Sequence, residues 1–309
     1  MTISAIGPKW LVTGAQGFLG ANLGAFLEGR ATRVGLARRA SASPHFDQML
    51  GVDLVVPDAL EAAVAETRPD VIVHAAALSS HEACESEPAL AQVINVDVTE
   101  RLARAAESCG AKFILISTDA VFDGQRGDYR ESDQTNPFSV YGRTKLEGEK
   151  RAAEATQALI LRTNFFGWSP NGKKSILEFF VNELSAGKSV RGFTDFTVTS
   201  MYVQHLAQVI WQLGNLSDAG VLHVASRDAL TKYEFGMAVA HRFDLPEHLI
   251  SPEASDPSAI PPRSRNISLN TDQLASILGG QVPSQAEGIN LAHSGAATLR
   301  AYLRNSSDA

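Results

Sequence analysis

The sequence predicts an α/β fold built on a doubly wound parallel sheet, and three observations predict this class. In the first half of the chain, short apolar runs alternate with longer amphipathic stretches, which is the pattern of strands alternating with helices. The run from Val71 to Ala75 shows no polar alternation, as expected for a strand buried on both faces. Gly14, Gly17 and Gly20 follow the first apolar run, where such folds turn from strand to helix.

The individual strands and helices follow from the same patterns. Short strands are predicted at Trp10–Thr13, 33–37, 52–56, Val71–Ala75, Phe113–Ile116, Leu159–Arg162 and Val221–Ala225. Helices are predicted for an amphipathic stretch that ends near Gly29 and for Ala59–Arg68, Pro88–Ser108, Ile176–Ala186 and Val203–Leu213. Pro69 ends one helix, while Pro88 and Gly110 bound another, because proline suits a first helical turn and glycine the position after a last one.

The chain is expected to divide into two unequal parts. Residues 1–162 are predicted to form a dinucleotide-binding domain, and a strand near 220–226 is expected to complete its sheet. Residues 163–309 are expected to form most of a smaller C-terminal lobe that binds substrate and is interleaved with the sheet. The Pro- and Ser-rich segment from Ser251 to Ser264 is predicted to be a loop or linker.

The composition limits the possible classes of function. The chain has 309 residues, 44% of them hydrophobic and 20% charged, and a formal net charge of -7, which is ordinary for a globular protein. It lacks a run of about 18 apolar residues, and Met1 to Lys9 lack the profile of a secretory signal. Two cysteines, Cys84 and Cys109, are too few for a disulfide framework. Since the acidic chain also has no basic blocks, we expect a cytoplasmic enzyme that binds neither membrane nor nucleic acid.

The glycine-rich turn Thr13–Gly20 predicts a phosphate-binding loop. Its glycines allow a sharp turn, a close approach to a pyrophosphate and tight packing of helix on strand. The helix that follows offers unpaired N–H groups and a partial positive charge to phosphates. Turns use glycine freely, but the position after the first strand favours dinucleotide binding over a plain turn.

Two arginines stand where the second strand ends, at a position that carries an acidic residue in many NAD-binding proteins. Arg38 and Arg39 occupy this place with no carboxylate beside them. A guanidinium binds phosphate through two parallel hydrogen bonds, so the pair favours NADPH over NADH. The alternative is a pair of solvated surface arginines.

Tyr141 and Lys145 are candidates for proton transfer. They are four residues apart near the start of a predicted helix, and therefore lie on one helix face. A tyrosine acting near pH 7 needs its pKa lowered from about 10 by about three units. An ammonium group about 4 Å away supplies an interaction of that order. The same spacing also occurs on ordinary helix surfaces, which is the competing interpretation.

Taken together, the motifs resemble those of extended short-chain dehydrogenase/reductases, and more closely those of the dTDP-4-dehydrorhamnose reductase family of sugar-nucleotide reductases. The resemblance is carried by Thr13–Gly20, Arg68–Ala77, Cys84–Pro88, Asn95–Val96, Ile116–Gly124, Tyr129–Glu131 and Pro137–Glu149. It covers residues 10–167 closely and the remainder loosely. It implies a Rossmann-type sheet with a smaller C-terminal lobe for the substrate.

The resemblance also implies roles for the matched residues. Thr118 would hold the substrate carbonyl oxygen, Tyr141 would protonate it, and Lys145 would bind the nicotinamide ribose and lower the Tyr141 pKa. With the arginine pair included, the cofactor-binding candidates are Gly14, Gly17, Phe18, Leu19, Arg38, Arg39, Asp53, Leu54, Ala75, Ala76, Ala77, Tyr141 and Lys145. With an arginine added after the Pro-rich segment, the substrate-binding candidates are Thr118, Asp119, Val121, Phe122, Asn164 and Arg263.

Three departures from the family pattern refine these expectations. His74 stands where the family usually has Asn, a change expected to affect packing more than chemistry. Asn22 stands where some members have a glutamate that binds magnesium, so no metal is expected. Ala120 follows Asp119, so the second carboxylate of related dehydratases is missing. One further group matches no zinc-binding pattern and is predicted to be a surface loop: His81, Glu82, Cys84 and Glu85.

The expected reaction is hydride transfer from NADPH, with NADH possible, to C4 of a 4-keto-6-deoxy nucleotide sugar. Tyr141 is the expected proton donor. Two alternatives stay open, namely an epimerase of the same superfamily and a non-catalytic NADP-binding regulator resembling the beta subunit of methionine adenosyltransferase. Intact Thr118, Tyr141 and Lys145 favour catalysis. Resemblance to the superfamily also suggests a homodimer.

Overall fold

The computed structural model describes residues 7–39, 42–172, 175–255 and 265–304. The strands are β1 (Lys9–Thr13), β2 (Thr32–Ala37), β3 (Gln48–Gly51), β4 (Val71–His74), β5 (Lys112–Thr118), β6 (Leu159–Thr163), β7 (Phe165–Phe166), β8 (Val190–Phe193), β9 (Thr197–Val198), β10 (Met201–Tyr202), β11 (Gly220–Val224), β12 (Leu230–Thr231) and β13 (Ile250–Glu253). The α-helices are α1 (Phe18–Phe26), α2 (Ala59–Thr67), α3 (His81–Ser86), α4 (Pro88–Gln92), α5 (Val98–Cys109), α6 (Val140–Ala155), α7 (Ile176–Ser185), α8 (Val203–Gly214), α9 (Lys232–Arg242), α10 (Asp272–Ile277), α11 (Gln285–Ser294) and α12 (Ala296–Arg304).

A seven-stranded parallel sheet forms the centre of the molecule. Its strand order is β11-β6-β5-β4-β1-β2-β3, and β1 pairs with β2 on one side and with β4 on the other. The order of the strands reverses between β1 and β4, and a sheet of this kind opens a crevice there, beyond the carboxyl ends of its strands. The predicted Rossmann-type doubly wound fold is therefore confirmed.

Helices cover both faces of this sheet, as the apolar strands require. Along β1, Trp10 and Val12 belong to a core on one face, which also receives α1 and α8. Leu11 belongs to a second core on the other face, with α2, α5 and α6. All three side chains are fully buried, and each buried side chain of this size contributes about 1.5–3 kcal/mol. The unbroken apolar pattern follows from this two-sided burial.

Smaller sheets and several helices lie beyond the carboxyl ends of the central strands. Among the described residues, β10 pairs with β7, β12 with β9, and β13 with β8. Helices α7, α9 and α11 share one hydrophobic core with α1 and α8. Of the helices in the described ranges, none is both long and apolar enough to span a bilayer.

One predicted strand, 52–56, is wrong. The residues that pair with β2 are Gln48–Gly51, four positions earlier. Val52 N then donates to the Ala37 carbonyl at 2.8 Å, and the chain turns away at Asp53. The Asp53 carboxylate accepts a hydrogen bond from the Val55 N–H at 3.2 Å, which stabilises a turn rather than an extended strand.

The loop predicted around Cys84 is also wrong, because this segment forms helix α3. Ser80 caps the helix by accepting a hydrogen bond from Ala83 N, and Cys84 is fully buried. The next predicted helix is present but interrupted, since a π-helical turn, Val93–Asp97, joins α4 to α5. Such turns are frequent at functional sites.

Candidate active site

A cleft of about 1190 Å³ opens at the carboxyl ends of the central strands. Gly14 follows β1, Ala75 follows β4, Thr118 ends β5 and Asn164 follows β6, and all four line the cleft. The opposite wall comes from the region around β8, β9 and the start of α9. The cleft therefore lies at the switch point where doubly wound sheets bind their ligands.

The cleft is positively charged although the chain is acidic overall. Four cationic side chains line it: Arg38, Lys145, Arg191 and Lys232. Asp119 is the only carboxylic acid among the described residues of its lining. A concave surface with this balance of charge attracts anions such as phosphates.

The turn between β1 and α1 has the shape of a phosphate cradle. Gly14 has a φ of +67°, and a Cβ there would stand only 3.0 Å from Ala76 N, so only glycine fits without strain. Gly17 caps α1, and among the described residues no side chain caps this helix end or places an acid in its first turn. The first N–H groups of α1, beside Phe18 and Leu19, are thus available to an anionic ligand. This geometry fits a dinucleotide.

His74 holds the cradle through a chain of buried hydrogen bonds. The Thr99 hydroxyl donates to the Asn95 carbonyl at 2.9 Å, so it accepts from His74 Nε2–H at 3.1 Å. His74 Nδ1 is then the acceptor for the Thr13 hydroxyl at 2.7 Å, and Thr13 accepts in turn from Ala76 N at 3.1 Å. Burial, and secondly the charge of Lys145, lower the His74 pKa to about 3. His74 is therefore a neutral link between β1, β4 and the cradle.

Two pairs of neighbouring residues are predicted on the adenosine side of the cofactor, and the structure brings one residue of each pair to the cleft. Arg38 and Leu54 line the cleft, as do Ala75, Ala76 and Ala77. Arg39 and Asp53 are exposed and do not belong to the lining. Neighbouring residues at the end of a strand point to opposite sides, and the Asp53 carboxylate binds the backbone of its own turn. Of the predicted arginine pair, the structure brings Arg38 to the cleft, and a binding role for Arg39 stays a prediction.

Tyr141 lies in the first turn of α6, where Ser139 caps the helix through Gly142 N at 3.1 Å. A Cβ at Gly142 would stand 2.3 Å from the Ala120 carbonyl, so glycine lets α6 approach the end of β5 closely. Tyr141 and Thr118 both line the cleft. Burial raises the Tyr141 pKa to about 12, although the Thr118 hydroxyl acts in the opposite direction.

Lys145 is buried one turn further along α6. Its Nζ donates to the Ile116 carbonyl at 2.8 Å. Burial lowers the Lys145 pKa to about 8, against the charge of Glu149, which raises it. In this geometry the Lys145 ammonium is bound to the backbone of β5, and its lowering of the Tyr141 pKa stays a prediction.

Asp119 and Asn164 form a hydrogen-bonded pair at the base of the cleft. Asn164 Nδ2 donates to Asp119 at 2.8 Å, and the Thr118 hydroxyl donates to the same carboxylate at 3.1 Å. Asn164 Oδ1 accepts from the Ser200 hydroxyl at 3.1 Å. Burial raises the Asp119 pKa to about 6, although the hydrogen bonds lower it. Both oxygens of the buried Asp119 carboxyl group therefore have hydrogen-bond donors, and its charge acts on Tyr141.

Val121 and Phe122, predicted to contact substrate, lie in a hydrophobic core instead. Both are fully buried and absent from the cleft lining. Phe122 stacks on Tyr129 with ring centroids 4.3 Å apart, and the Arg162 guanidinium lies 5.2 Å above its ring. They pack in this core behind the end of β5, so the structure does not bring them to the cleft.

Two cations near the opposite wall were absent from the sequence prediction. Arg191 on β8 and Lys232 at the start of α9 line the cleft, whereas the predicted Arg263 lies outside the described residues. Arg265 is turned toward Asp195, with its Nε 3.8 Å from the carboxylate. No local motif marks Arg191 or Lys232, because they reach the cleft only when β8 and the start of α9 pack against distant parts of the chain.

His81 and Asn95 are further site residues without a predicted role. The His81 ring lies against the Tyr141 ring, with centroids 4.9 Å apart. Asn95, in the π-helical turn, accepts from Leu78 N at 2.9 Å and donates to the Thr144 hydroxyl at 3.1 Å. It therefore joins the segment after β4 to the helix that carries Tyr141. The motif Asn95–Val96 was the available signal for Asn95, whereas His81 lies outside the motifs shared with the reductases.

Asn22, in the place of a possible metal ligand, is engaged in hydrogen bonds. Its Nδ2 donates to the carbonyls of Phe18 and Trp168 at 2.8 and 2.9 Å, and its Oδ1 accepts from Gln204 at 2.6 Å. The amide therefore ties α1 to the C-terminal lobe. Within the described ranges, no group of three or more His, Cys, Asp or Glu side chains could hold a metal ion.

Comparison with protein families agrees with this geometry. The model described as "RmlD substrate binding domain" matches residues 8–296. The chain belongs to this family. Membership of the RmlD family agrees with the resemblance of the sequence motifs to those of dTDP-4-dehydrorhamnose reductases.

Among its relatives, the RmlD-family chain is similar to proteins of two kinds. It is 33% identical over 280 residues to the bovine (Bos taurus) methionine adenosyltransferase 2 subunit beta, and the matched region covers 88% of this chain and 83% of the bovine protein. It is 43% identical over 148 residues to the dTDP-4-dehydrorhamnose reductase of Streptomyces griseus, covering 48% and 45%. The dTDP-4-dehydrorhamnose reductase of Bacillus anthracis, solved in complex with NADP, superposes with a TM-score of 0.81 at 25% identity, covering 94% and 99%.

Proposed function

We propose that this protein reduces the 4-keto group of a nucleotide-linked 6-deoxy sugar with NADPH. The observation that carries the proposal is that Thr118, Tyr141 and Lys145 line one switch-point cleft together, with Tyr141 and Lys145 about one turn apart on α6. Membership of the RmlD family and the likeness to a Bacillus reductase solved with NADP support it.

The cradle and its surroundings would hold the cofactor. Gly14, Phe18 and the uncapped start of α1 would receive the diphosphate, Arg38 would bind a 2′-phosphate, and Lys145 would contact the nicotinamide ribose. NADPH, when bound, supplies the hydride for C4 of the sugar. We propose residues 1–162 with β11 as the part of the chain that holds the cofactor.

Tyr141 would donate the proton to the ketone oxygen. Since burial raises its pKa to about 12, the hydroxyl keeps its proton at neutral pH and is ready to act as a donor. Thr118 would supply a second hydrogen bond to the same oxygen, for which its single hydroxyl proton would turn from Asp119 to the ketone. Asn164 would keep the Asp119 carboxylate in place through its own hydrogen bond.

The opposite wall would bind the nucleoside diphosphate of the substrate. Lys232 Nζ lies 4.4 Å from the centre of the Phe196 ring, and the Arg191 guanidinium lies 5.8 Å from the Phe193 ring. Two cations suit two phosphates, and aromatic rings suit a stacked base. This composition supports a nucleotide sugar over a simple ketone.

A second candidate is a regulatory subunit, favoured by 33% identity to bovine methionine adenosyltransferase 2 subunit beta over 88% of the chain. One experiment separates the candidates. Purified protein is mixed with NADPH and dTDP-4-keto-6-deoxyglucose, while nicotinamide absorbance and sugar products are followed. A reductase consumes NADPH in proportion to the sugar reduced. An epimerase changes the sugar with no net loss of NADPH, and a regulator leaves both unchanged.

A further inference from the structure

A buried ion pair lies directly behind the candidate active site. Glu149 accepts hydrogen bonds from Arg162 Nε and Nη2 at 3.1–3.2 and 2.8 Å, and the Ser117 hydroxyl also donates to it. All three residues are at most 5% exposed. A buried charged pair of this kind is weak evidence for stability, because desolvation offsets the attraction between the charges. A role in the site is the alternative to examine.

The pair is placed by the register of the sheet. Ser117 on β5 lies opposite Arg162 on β6 in the parallel ladder, so one carboxylate of α6 reaches both neighbouring strands. Lys145, four residues earlier on the same helix, donates to the carbonyl of Ile116, which precedes Ser117. Tyr141 lies a further four residues back. Residues spaced by four share one helix face, so these three side chains face the sheet together.

Glu149 forms its ion pair with Arg162, and its charge also acts on Lys145, four residues earlier on α6. His74 on β4 is neutral near pH 7, because burial lowers its pKa to about 3 with a smaller contribution from the charge of Lys145. Tyr141 is protonated, and Asp119 acts on Tyr141. Among the described residues, Glu149 is the ionised group that raises the Lys145 pKa against the effect of burial.

We propose that Glu149, held by Ser117 and Arg162, is a positioning residue that fixes Lys145 and the helix carrying Tyr141 against β5. Its bearing on catalysis rests on the proposed reductase function. Its effect on Lys145 does not, because it depends only on this chain.

The test is a pH titration of Lys145 by nuclear magnetic resonance, with protein labelled with ¹³C at the lysine ε-carbons. The signal is identified by its loss in Lys145→Arg. Glu149→Gln is expected to lower the midpoint of Lys145 by about one pH unit, because an attractive charge is removed. Glu147→Gln is the matched control, since Glu147 lies on the same helix but pairs at the surface with Arg151. The Lys145 midpoint in this variant should equal that of the parent protein.

A second variant covers the case in which Glu149→Gln leaves Arg162 unpaired and fails to fold. The double variant Glu149→Gln/Arg162→Gln carries no buried charge at this position and is expected to lower the Lys145 midpoint by less than Glu149→Gln, because the lost repulsion from Arg162 offsets part of the lost attraction. An unchanged midpoint in a folded variant, or an equal shift in Glu147→Gln, overturns the proposal. If the protein reduces a sugar, the alkaline limb of kcat should move to lower pH with the midpoint. Absence of turnover with a shifted midpoint would reject only the reductase function.

Discussion

Thr13 Oγ1 lies 2.7 Å from His74 Nδ1, and this hydrogen bond joins β1 to β4 at the point where the strand order reverses. Because Thr13 also accepts from Ala76 N, the backbone that faces Gly14 is fixed by a side chain from the opposite strand. The position that the family pattern fills with Asn is here a neutral, fully hydrogen-bonded imidazole. Because the His74 pKa is lowered, we expect this substitution to make the stability of the protein depend on pH.

The buried His74 makes the fold sensitive to acid. Its folded-state pKa of about 3 lies below its ordinary value of 6.5, so the unfolded chain takes up the proton first and stability falls as pH drops below about 6.5. The expected loss between pH 7 and pH 5 is about 2 kcal/mol. Urea unfolding should show a smaller loss in His74→Asn. Exposed His241→Asn is the control, and an unchanged pH dependence in His74→Asn contradicts the prediction.

Tyr141→Phe is expected to reduce kcat by about 10²–10⁴-fold, the usual contribution of a positioned general acid. NADPH affinity, measured by fluorescence titration, should remain close to that of the parent, because the ring is retained. Tyr302→Phe serves as control, since its hydroxyl binds Glu28 on the surface. Substantial turnover in Tyr141→Phe would show that another group donates the proton.

Arg38→Ala is expected to weaken NADPH binding by about 10-fold or more while changing NADH binding little, because a charge-assisted hydrogen bond to the 2′-phosphate contributes about 1.5–3 kcal/mol. Arg39→Ala is the matched control, since Arg39 lies outside the cleft lining. Dissociation constants for both cofactors provide the measurement. Equal losses for NADPH and NADH would remove the 2′-phosphate assignment.

Asp119→Asn is expected to stabilise the protein at neutral pH. The folded-state pKa of about 6 lies above the ordinary 3.8, so folding takes up a proton and stability falls as pH rises from about 4 to 6. Replacing the carboxyl should therefore add about 3 kcal/mol at pH 7.5 and about 0.5 kcal/mol at pH 4. Asp53→Asn, on the exposed turn, should add nothing. Thermal unfolding at both pH values checks this, and equal effects at pH 4 and 7.5 would contradict it.

Arg191→Gln combined with Lys232→Gln is expected to raise KM for the nucleotide sugar by about 10-fold or more, since two phosphate contacts are removed. NADPH affinity should be unaffected, because both residues lie on the opposite wall of the cleft. Arg265→Gln, whose side chain faces Asp195, is the control. An unchanged KM in the double variant places the diphosphate elsewhere.

Local sequence patterns were sufficient for much of the fold. The apolar run at Val71 predicted a central strand because two-sided burial leaves no polar alternation, and the structure has β4 there. The predicted strand at 52–56 failed because pairing with β2 selects Gln48–Gly51, and the hydrophobicity of so short a segment does not specify register.

In the candidate site too, some features follow from local sequence patterns and others depend on the tertiary structure. The sequence by itself determined the glycine turn and the shared helix face of Tyr141 and Lys145, since both depend on neighbours within one or two turns of chain. Only the tertiary structure decided that Phe122 is core and that Lys232 faces the cleft. It also decided the Tyr141 pKa, because burial and long-range contacts arise only when distant segments pack together.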